Sequence, residues 1–305
     1  MEKITIGGKL IVPEVGLGCM RINSLGKKEA NALILASLEA GGNFFDHADI
    51  YGGGEAESHF AGSVQMTSTL RDKMIIQTKC SIRPGVCYDF SKEHILASVD
   101  GSLKRLQTEY VDVLLLHRPD ILMEPTEVAE AFVSLEKAGK VKYFGVSNQN
   151  SGQISLLNKY CNGRILINQL QLSITHCPIF DSGINVNMIT DEAVVRESGI
   201  VDYCRLNDIT MQAWSPFQYG FFEGVFLGNK LFQKLNAVID RLADKYGVSA
   251  NAIAIAWILR HPAKIQAIVG TTNKERLLNI YNAGKATITR EEWYELYLAA
   301  GKQLP

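Results

Sequence analysis

Four side chains in this chain have the types needed to put a proton on an oxygen: the carboxyl of Asp46, the phenol of Tyr51, the amine of Lys79 and the imidazole of His117. A phenol has an unperturbed pKa near 10, so it exchanges protons poorly at neutral pH unless a cation lowers that value. Lys79 is a cation by type, and Asp46 is a carboxylate able to keep that amine charged and aimed. His117 can hydrogen-bond a carbonyl oxygen and orient it. The set suits general acid catalysis at an oxygen that gains negative charge. It lacks a nucleophile and a metal, so the reducing equivalent has to come from a hydride-donating cofactor. Taken singly, each residue has an ordinary reading: a strand-end cap, an edge aromatic, a solvated lysine, a core histidine. Their joint placement is more specific.

That placement depends on strands that end together. Asn43-Phe44-Phe45 leads through Asp46 into Tyr51-Gly52-Gly53-Gly54, the pattern of a buried strand opening into a loop. Residues 74–79 and 111–117 are apolar runs ending at Lys79 and His117. As parallel neighbours, the three strands bring all four groups to one pocket. The other strand-like runs are residues 15–20, 141–146, 165–170, 210–213 and 265–269. Helical patterns cover residues 27–40, part of 55–71, 92–106, 126–138, 151–160, 202–207, 230–246, 249–260 and 273–283. Ser91 is a good N-cap, and Gly41 and Gly139 are stop signals. After a hairpin over residues 3–11 turning at Gly7-Gly8, eight strand–helix units follow one another. Strict alternation implies a parallel sheet, and eight units suit a closed (β/α)₈ barrel, a TIM barrel of class α/β. An extra C-terminal helix over 290–300 completes one expected domain, residues 1–305. An open doubly wound sheet is the rival, but no Gly-x-Gly-x-x-Gly turn follows the first strand. Residues 173–201 and 216–229 break the rhythm and read as long loops, lids or mobile segments.

Composition narrows the class further. The 305 residues are 47% hydrophobic with a formal net charge of −1, enough chain for a large core and no electrostatic reason to expect nucleic acid or an anionic membrane as partner. No apolar run approaches the roughly 20 residues that cross a bilayer, and the N-terminus lacks a signal-peptide pattern, so the expected location is cytoplasmic. Six scattered cysteines without a Cys-x-x-Cys pair read as buried free thiols, with no metal expected.

Longer motifs carry a resemblance. Gly16-Leu17-Gly18, Asn43-Phe44-Phe45-Asp46-His47-Ala48-Asp49-Ile50-Tyr51, Ile76-Gln77-Thr78-Lys79, Leu114-Leu115-Leu116-His117-Arg118-Pro119-Asp120, Phe144-Gly145-Val146-Ser147-Asn148, Trp214-Ser215-Pro216 and Gly270-Thr271-Thr272-Asn273 together resemble the aldo-keto reductase superfamily, over nearly the whole chain. The His117-to-Asp120 run is similar to a bacterial subgroup of oxidoreductases resembling YdhF. The resemblance implies reversible NADPH-dependent reduction of an aldehyde or ketone, with Tyr51 as acid/base, Lys79 and Asp46 tuning it, and His117 orienting the carbonyl. It implies that Ser147, Asn148 and Gln169 hold the nicotinamide carboxamide and that Trp214 stacks on the ring. Ser215 and Phe217 then lie along the pyrophosphate, and Gly270, Thr271, Thr272 and Arg276 surround the adenosine 2′-phosphate at a helix start. A small carbonyl partner and a monomer are implied as well.

Two departures qualify this. Many relatives place a lysine where Gly270 stands, so use of NADH is also possible. Met20 occupies a position often held by tryptophan, which alters the expected substrate wall. Two other functions fit a barrel: a cofactor-holding binding module, as in potassium-channel β subunits, and a glycosidase or metal hydrolase. For the latter, Asp46 and Asp49 are too close in sequence to flank a glycosidic bond, and no His-x-His follows the first strand.

Overall fold

A computed structural model describes residues 1–305. Eight parallel strands close into a barrel: β1 (Val15–Gly18), β2 (Phe44–Asp46), β3 (Ile75–Cys80), β4 (Val111–Leu116), β5 (Val141–Ser147), β6 (Ile165–Gln171), β7 (Thr210–Trp214) and β8 (Gln266–Val269). Each strand pairs with its neighbours in sequence, and β8 closes on β1 with Ile268 opposite Gly16. The β2–β3 register sets Asp46 against Gln77, and the β3–β4 register sets Lys79 against Leu115. Every residue of β2 and β4 is buried, as strands covered on both faces require.

The wall is thin at Gly145 in β5. A Cβ there would stand 2.7 Å from the Cβ of Ile167 and 2.8 Å from its carbonyl oxygen, so only glycine lets β5 and β6 approach this closely. At the N-terminal end, the hairpin Lys3–Ile6/Leu10–Pro13 plugs the barrel. Its Ile6 and Val12 pack with Phe44, Val113, Leu115, Leu166, Ile167 and Ile268 in a small cluster apart from the main core. The Gly7 N–H donates to Thr210 Oγ1 at 3.0 Å, tying the plug to β7.

The helical shell comprises α1 (Lys27–Glu39), α2 (Glu55–Val64), α3 (Lys92–Leu106), α4 (Pro125–Lys137), α5 (Ser151–Cys161), α6 (Pro178–Ile184), α7 (Ile200–Leu206), α8 (Gln233–Tyr246), α9 (Ala250–Leu259), α10 (Lys274–Ile280) and α11 (Arg290–Ala299). α9 is buried on nearly all sides, from Ala252 to Ile258. The C-terminal α11 docks on it through Trp257 and Trp293, stacked at 4.7 Å and 9°. Each indole N–H donates to the other's carbonyl oxygen, at 3.1 and 3.0 Å, so the pair is held by area and by bonds.

The two irregular stretches differ from expectation. Residues 173–201 are not a plain loop. They contain α6, a 3₁₀ turn at Asp191–Ala193 and the start of α7. Pro178 supplies the fixed φ that favours a first helical position, and Phe180 buries against Trp257, Trp293 and His261. Asp181 accepts from Tyr297 Oη at 2.9 Å and from Lys302 Nζ at 2.5 Å, which pins the chain's end to this segment. Residues 216–229 carry a small hairpin, Gln218–Tyr219 with Gly224–Val225, and residues 230–232 form a 3₁₀ turn rather than the first turn of α8. Five cysteines are buried free thiols and Cys87 is exposed. No helix is long and apolar enough to cross a membrane.

Candidate active site

The C-terminal ends of β2, β3 and β4 carry the acid–base groups. Asp46 is the last residue of β2, and backbone pairing to β3 continues past it: His47 N–H donates to Gln77 O at 2.8 Å and Asp49 N–H to Lys79 O at 2.9 Å. The chain then reverses through Gly52, Gly53 and Gly54, with φ of +58°, +66° and +96°. Three left-handed residues in a row call for glycine, and they leave Tyr51 facing back over the barrel mouth.

Lys79 is fully buried and Asp46 nearly so. The lysine Nζ lies 2.7 and 2.8 Å from the two Asp46 carboxylate oxygens, 2.9 Å from His47 O and 3.1 Å from Tyr51 Oη. His117 follows β4 directly. Its N–H donates to Cys80 O at 2.8 Å and to Ser81 Oγ at 3.0 Å, and its ring meets Tyr51 edge-on at 5.9 Å.

Burial decides the protonation states. It raises the Tyr51 phenol above its usual value; Lys79 acts in the opposite sense without reversing it, so the cation does not lower the phenol overall, contrary to the expectation from type alone. Burial works against the Lys79 charge, but Asp46 and Tyr51 outweigh it and the ammonium is held above its usual range. Burial, then Lys79 and Arg118, hold the His117 imidazole well below its normal value, so it is neutral. Just behind this set, burial and the neighbouring Glu57 push Asp49 up to about 7, against the pull of Arg105. Glu57 itself is fully buried, accepting from Thr78 Oγ1 at 2.6 Å and from Arg105 Nε at 2.7 Å.

The expected cofactor residues fall into two groups. Ser147 Oγ donates to Gln169 O at 2.9 Å, Asn148 Nδ2 to Ser147 Oγ at 2.7 Å, and Trp214 Nε1 to Asn148 Oδ1 at 3.1 Å. This chain joins the ends of β5, β6 and β7. Gln169 bridges it to the acid–base set, because its amide donates to Asp46 Oδ1 at 3.2 Å. Asn148 and Ser215 adopt positive φ, as sharp turns at strand ends demand. Phe217 is half-buried, its carbonyl receiving the Phe226 N–H at 3.1 Å. Gly270, Thr271, Thr272 and Arg276 form a second group past β8. Asn273 caps α10 by accepting the Arg276 N–H at 2.8 Å, so part of the first turn is already satisfied. Arg276 is exposed, and so is Met20, on the loop after β1.

The site contains groups that the sequence reading passed over. Arg21, from the loop after β1, donates to Gly270 O. Arg118 lies 5.8 Å from both the Trp214 and Phe221 rings, and Phe222 stacks on Trp214 at 6.0 Å. Gln77, Gln212 and Gln266 form a buried net under Asp46. Strand alternation held a signal for two of them: Gln77 shares a face with Lys79, and Gln212 with Trp214.

The sequence between residues 14 and 297 matches the model of the aldo/keto reductase family. The chain belongs to that family. As a family member it is similar to a 6-dehydroglucose reductase from Agrobacterium fabrum, 36% identical with both chains covered completely, and to the oxidoreductase YdhF of Escherichia coli, 30% identical over 91% of this chain and 89% of that one. Its barrel superposes on an aldo/keto reductase of Klebsiella pneumoniae, solved with NADP and acetate, with a TM-score of 0.79 at 24% identity, over 99% of this reductase and 96% of that chain. The protein is accordingly an NAD(P)H-dependent oxidoreductase of the aldo/keto reductase type.

Proposed function

We propose that the enzyme, one domain over residues 1–305 acting as a monomer, reversibly reduces a small aldehyde or ketone with NADPH, and less well with NADH. The carrying observation is the buried Lys79 Nζ within hydrogen-bond reach of both Asp46 and Tyr51. The polar groups around it suit a dinucleotide: the Gln169 carbonyl end has no protein donor, the Trp214 indole stands at the β7 end, and Arg21, Lys274 and Arg276 are exposed along the β8–β1 rim. When bound, the reduced cofactor supplies the hydride from nicotinamide C4.

The chain's own residues do the rest. Tyr51 stays protonated at neutral pH because burial raises it, so it has a proton to give to the carbonyl oxygen as negative charge develops. The Lys79 ammonium stabilises the phenolate left behind, and the Asp46 carboxylate keeps that ammonium charged and aimed. Neutral His117 donates one ring N–H to the same oxygen and orients it without adding charge. In the alcohol-oxidising direction the roles reverse.

Ser147, Asn148 and Gln169 hold the carboxamide and Trp214 the ring face. Ser215 and Phe217 border the pyrophosphate, Gly270 to Thr272 with Arg276 contact the 2′-phosphate, and Met20 lines the substrate side. The similarity to a protein named 6-dehydroglucose reductase puts sugar-derived aldehydes first in a substrate screen.

Purified enzyme is expected to oxidise NADPH with such aldehydes. Tyr51→Phe should lower kcat by about 10²- to 10⁴-fold, the worth of a general acid, while NADPH still quenches or shifts in fluorescence on binding. Wild-type turnover in the phenylalanine variant ends the assignment of the proton donor.

A further inference from the structure

The loop after β4 sets a second charged group beside His117. Arg118 is half-buried, and its guanidinium joins none of the chain's ion pairs and donates no hydrogen bond within the protein. It is close enough to His117 to help hold that imidazole down, after burial and Lys79. Its Cζ lies 5.8 Å from the ring centres of both Trp214 and Phe221, on the β7 side of the mouth. Phe222 stacks on Trp214 at 6.0 Å and meets Phe221 edge-on at 4.8 Å.

The backbone is bent to build this aromatic wall. Phe222 has a φ of +61°, a left-handed conformation that a bulky residue rarely adopts. Strain of this kind persists where the surroundings impose it, commonly at ligand clamps. Glu223, the carboxylate next to those rings in sequence, lies against Gly220 and forms no ion pair with Arg118.

A guanidinium flanked by aromatic rings is shielded from water on those sides, which strengthens its pull on an anion. Its planar fork of N–H donors matches the two oxygens of a carboxylate. The charge count points the same way. Lys79 is already neutralised by Asp46, so Arg118 offers a single positive charge, the match for one carboxylate rather than for a doubly charged phosphate.

We infer that Arg118 selects the substrate: it pairs with a carboxylate a few bonds from the carbonyl that Tyr51 and His117 address, so the enzyme prefers aldehyde acids to neutral aldehydes. This rests on the reductase reading given above. It narrows the sugar-derived aldehydes to those that also end in a carboxylate.

The test measures kcat/KM with NADPH for two matched pairs, para-carboxybenzaldehyde against benzaldehyde and succinic semialdehyde against butanal. The proteins are wild type, Arg118→Met and Arg118→Lys. Intrinsic reactivity differs within a pair, so the readout is the change in the acid-to-neutral ratio from one protein to another. Arg118→Met should lower that ratio by about ten- to a hundredfold for at least one pair, the worth of a bond to a charged group, and mainly through KM. The neutral aldehydes should keep their rates to within about twofold. Arg118→Lys, which keeps the charge and loses the fork, should fall between. A role confined to packing the aromatic wall lowers both members of a pair alike. An unchanged ratio in Arg118→Met for both pairs overturns the inference. Should wild type consume no NADPH with any of the four, that counts against the reductase reading instead. Calorimetric titration with para-(hydroxymethyl)benzoate and benzyl alcohol then decides the anion contact without turnover. Tighter binding of the acid that Arg118→Met abolishes supports it, and equal binding of the two overturns it.

Discussion

The β2–β4 side of the barrel mouth and the β7–β1 side differ in how completely their polar groups are satisfied within the protein. On the first side, Lys79, Asp46 and Gln77 are buried and joined through the Asp46 carboxylate, and Tyr51 meets the same lysine. On the second, Lys274 and Arg276 are exposed and in no ion pair, and Arg21, also exposed, hydrogen-bonds the Gly270 carbonyl oxygen. Groups that hold a proton gain from a dry setting with fixed partners, since charge interactions strengthen as water is excluded. Groups that grip a large anion must keep their donors free until it arrives. On the function proposed above, the contrast separates a half built for chemistry from a half built for capture.

The strongest way to break that contrast is Lys79→Met. Removing one partner of a buried pair leaves Asp46 uncompensated, at an expected cost of about 3–5 kcal/mol in urea unfolding, together with loss of turnover. A variant with unchanged stability and kcat would show that the satisfied half does no more than the exposed one. Next in size, Arg276→Ala should weaken NADPH binding by about tenfold, the scale of one bond to a charged group, while NADH binding and the melting temperature stay as they were. Equal losses for both cofactors would place Arg276 away from the 2′-phosphate.

The smallest effect lies behind the chemical half and separates two pH dependences. His47 and His261 are bases held down by burial to about 3 and about 4, so their contribution to stability is present above about 6.5 and is lost as pH falls through those values. Asp49 is an acid raised from 3.8 to about 7, so its contribution is present below the lower value and is lost as pH rises through the upper one. Asp49→Asn should therefore raise the melting temperature at pH 8 by a few degrees and leave it unchanged near pH 4. A gain of the same size at both pH values would mean that Asp49 is not paying a burial penalty.

Much of this was legible in residue order. Apolar runs ending in Asp46, Lys79 and His117 marked strands and their open ends together, because the covalent pattern and the buried face coincide there. Ser91 marked a helix start through its own side chain. What escaped was tertiary. Residues 173–201 read as a loop, whereas α6 within them is secured by Phe180 meeting Trp257 and Trp293, far along the chain. Gln77, Gln212 and Gln266 passed as ordinary polar positions within strands, because nothing local says that three amides from β3, β7 and β8 will meet inside one barrel. The net effect on Tyr51 was also misjudged: the cation was visible in the sequence, while the depth of burial that outweighs it was not.

Barrels of this kind usually keep stability at one rim and reactivity at the other. Here Pro13, in the plug, is three amide side chains away from Asp46. Replacing or trimming the plug therefore amounts to editing the reacting rim from below. A laboratory that exchanges residues 1–13 for a tag or a fusion partner should measure turnover as well as the melting curve, because the change reaches Asp46 through Gln266, Gln212 and Gln77.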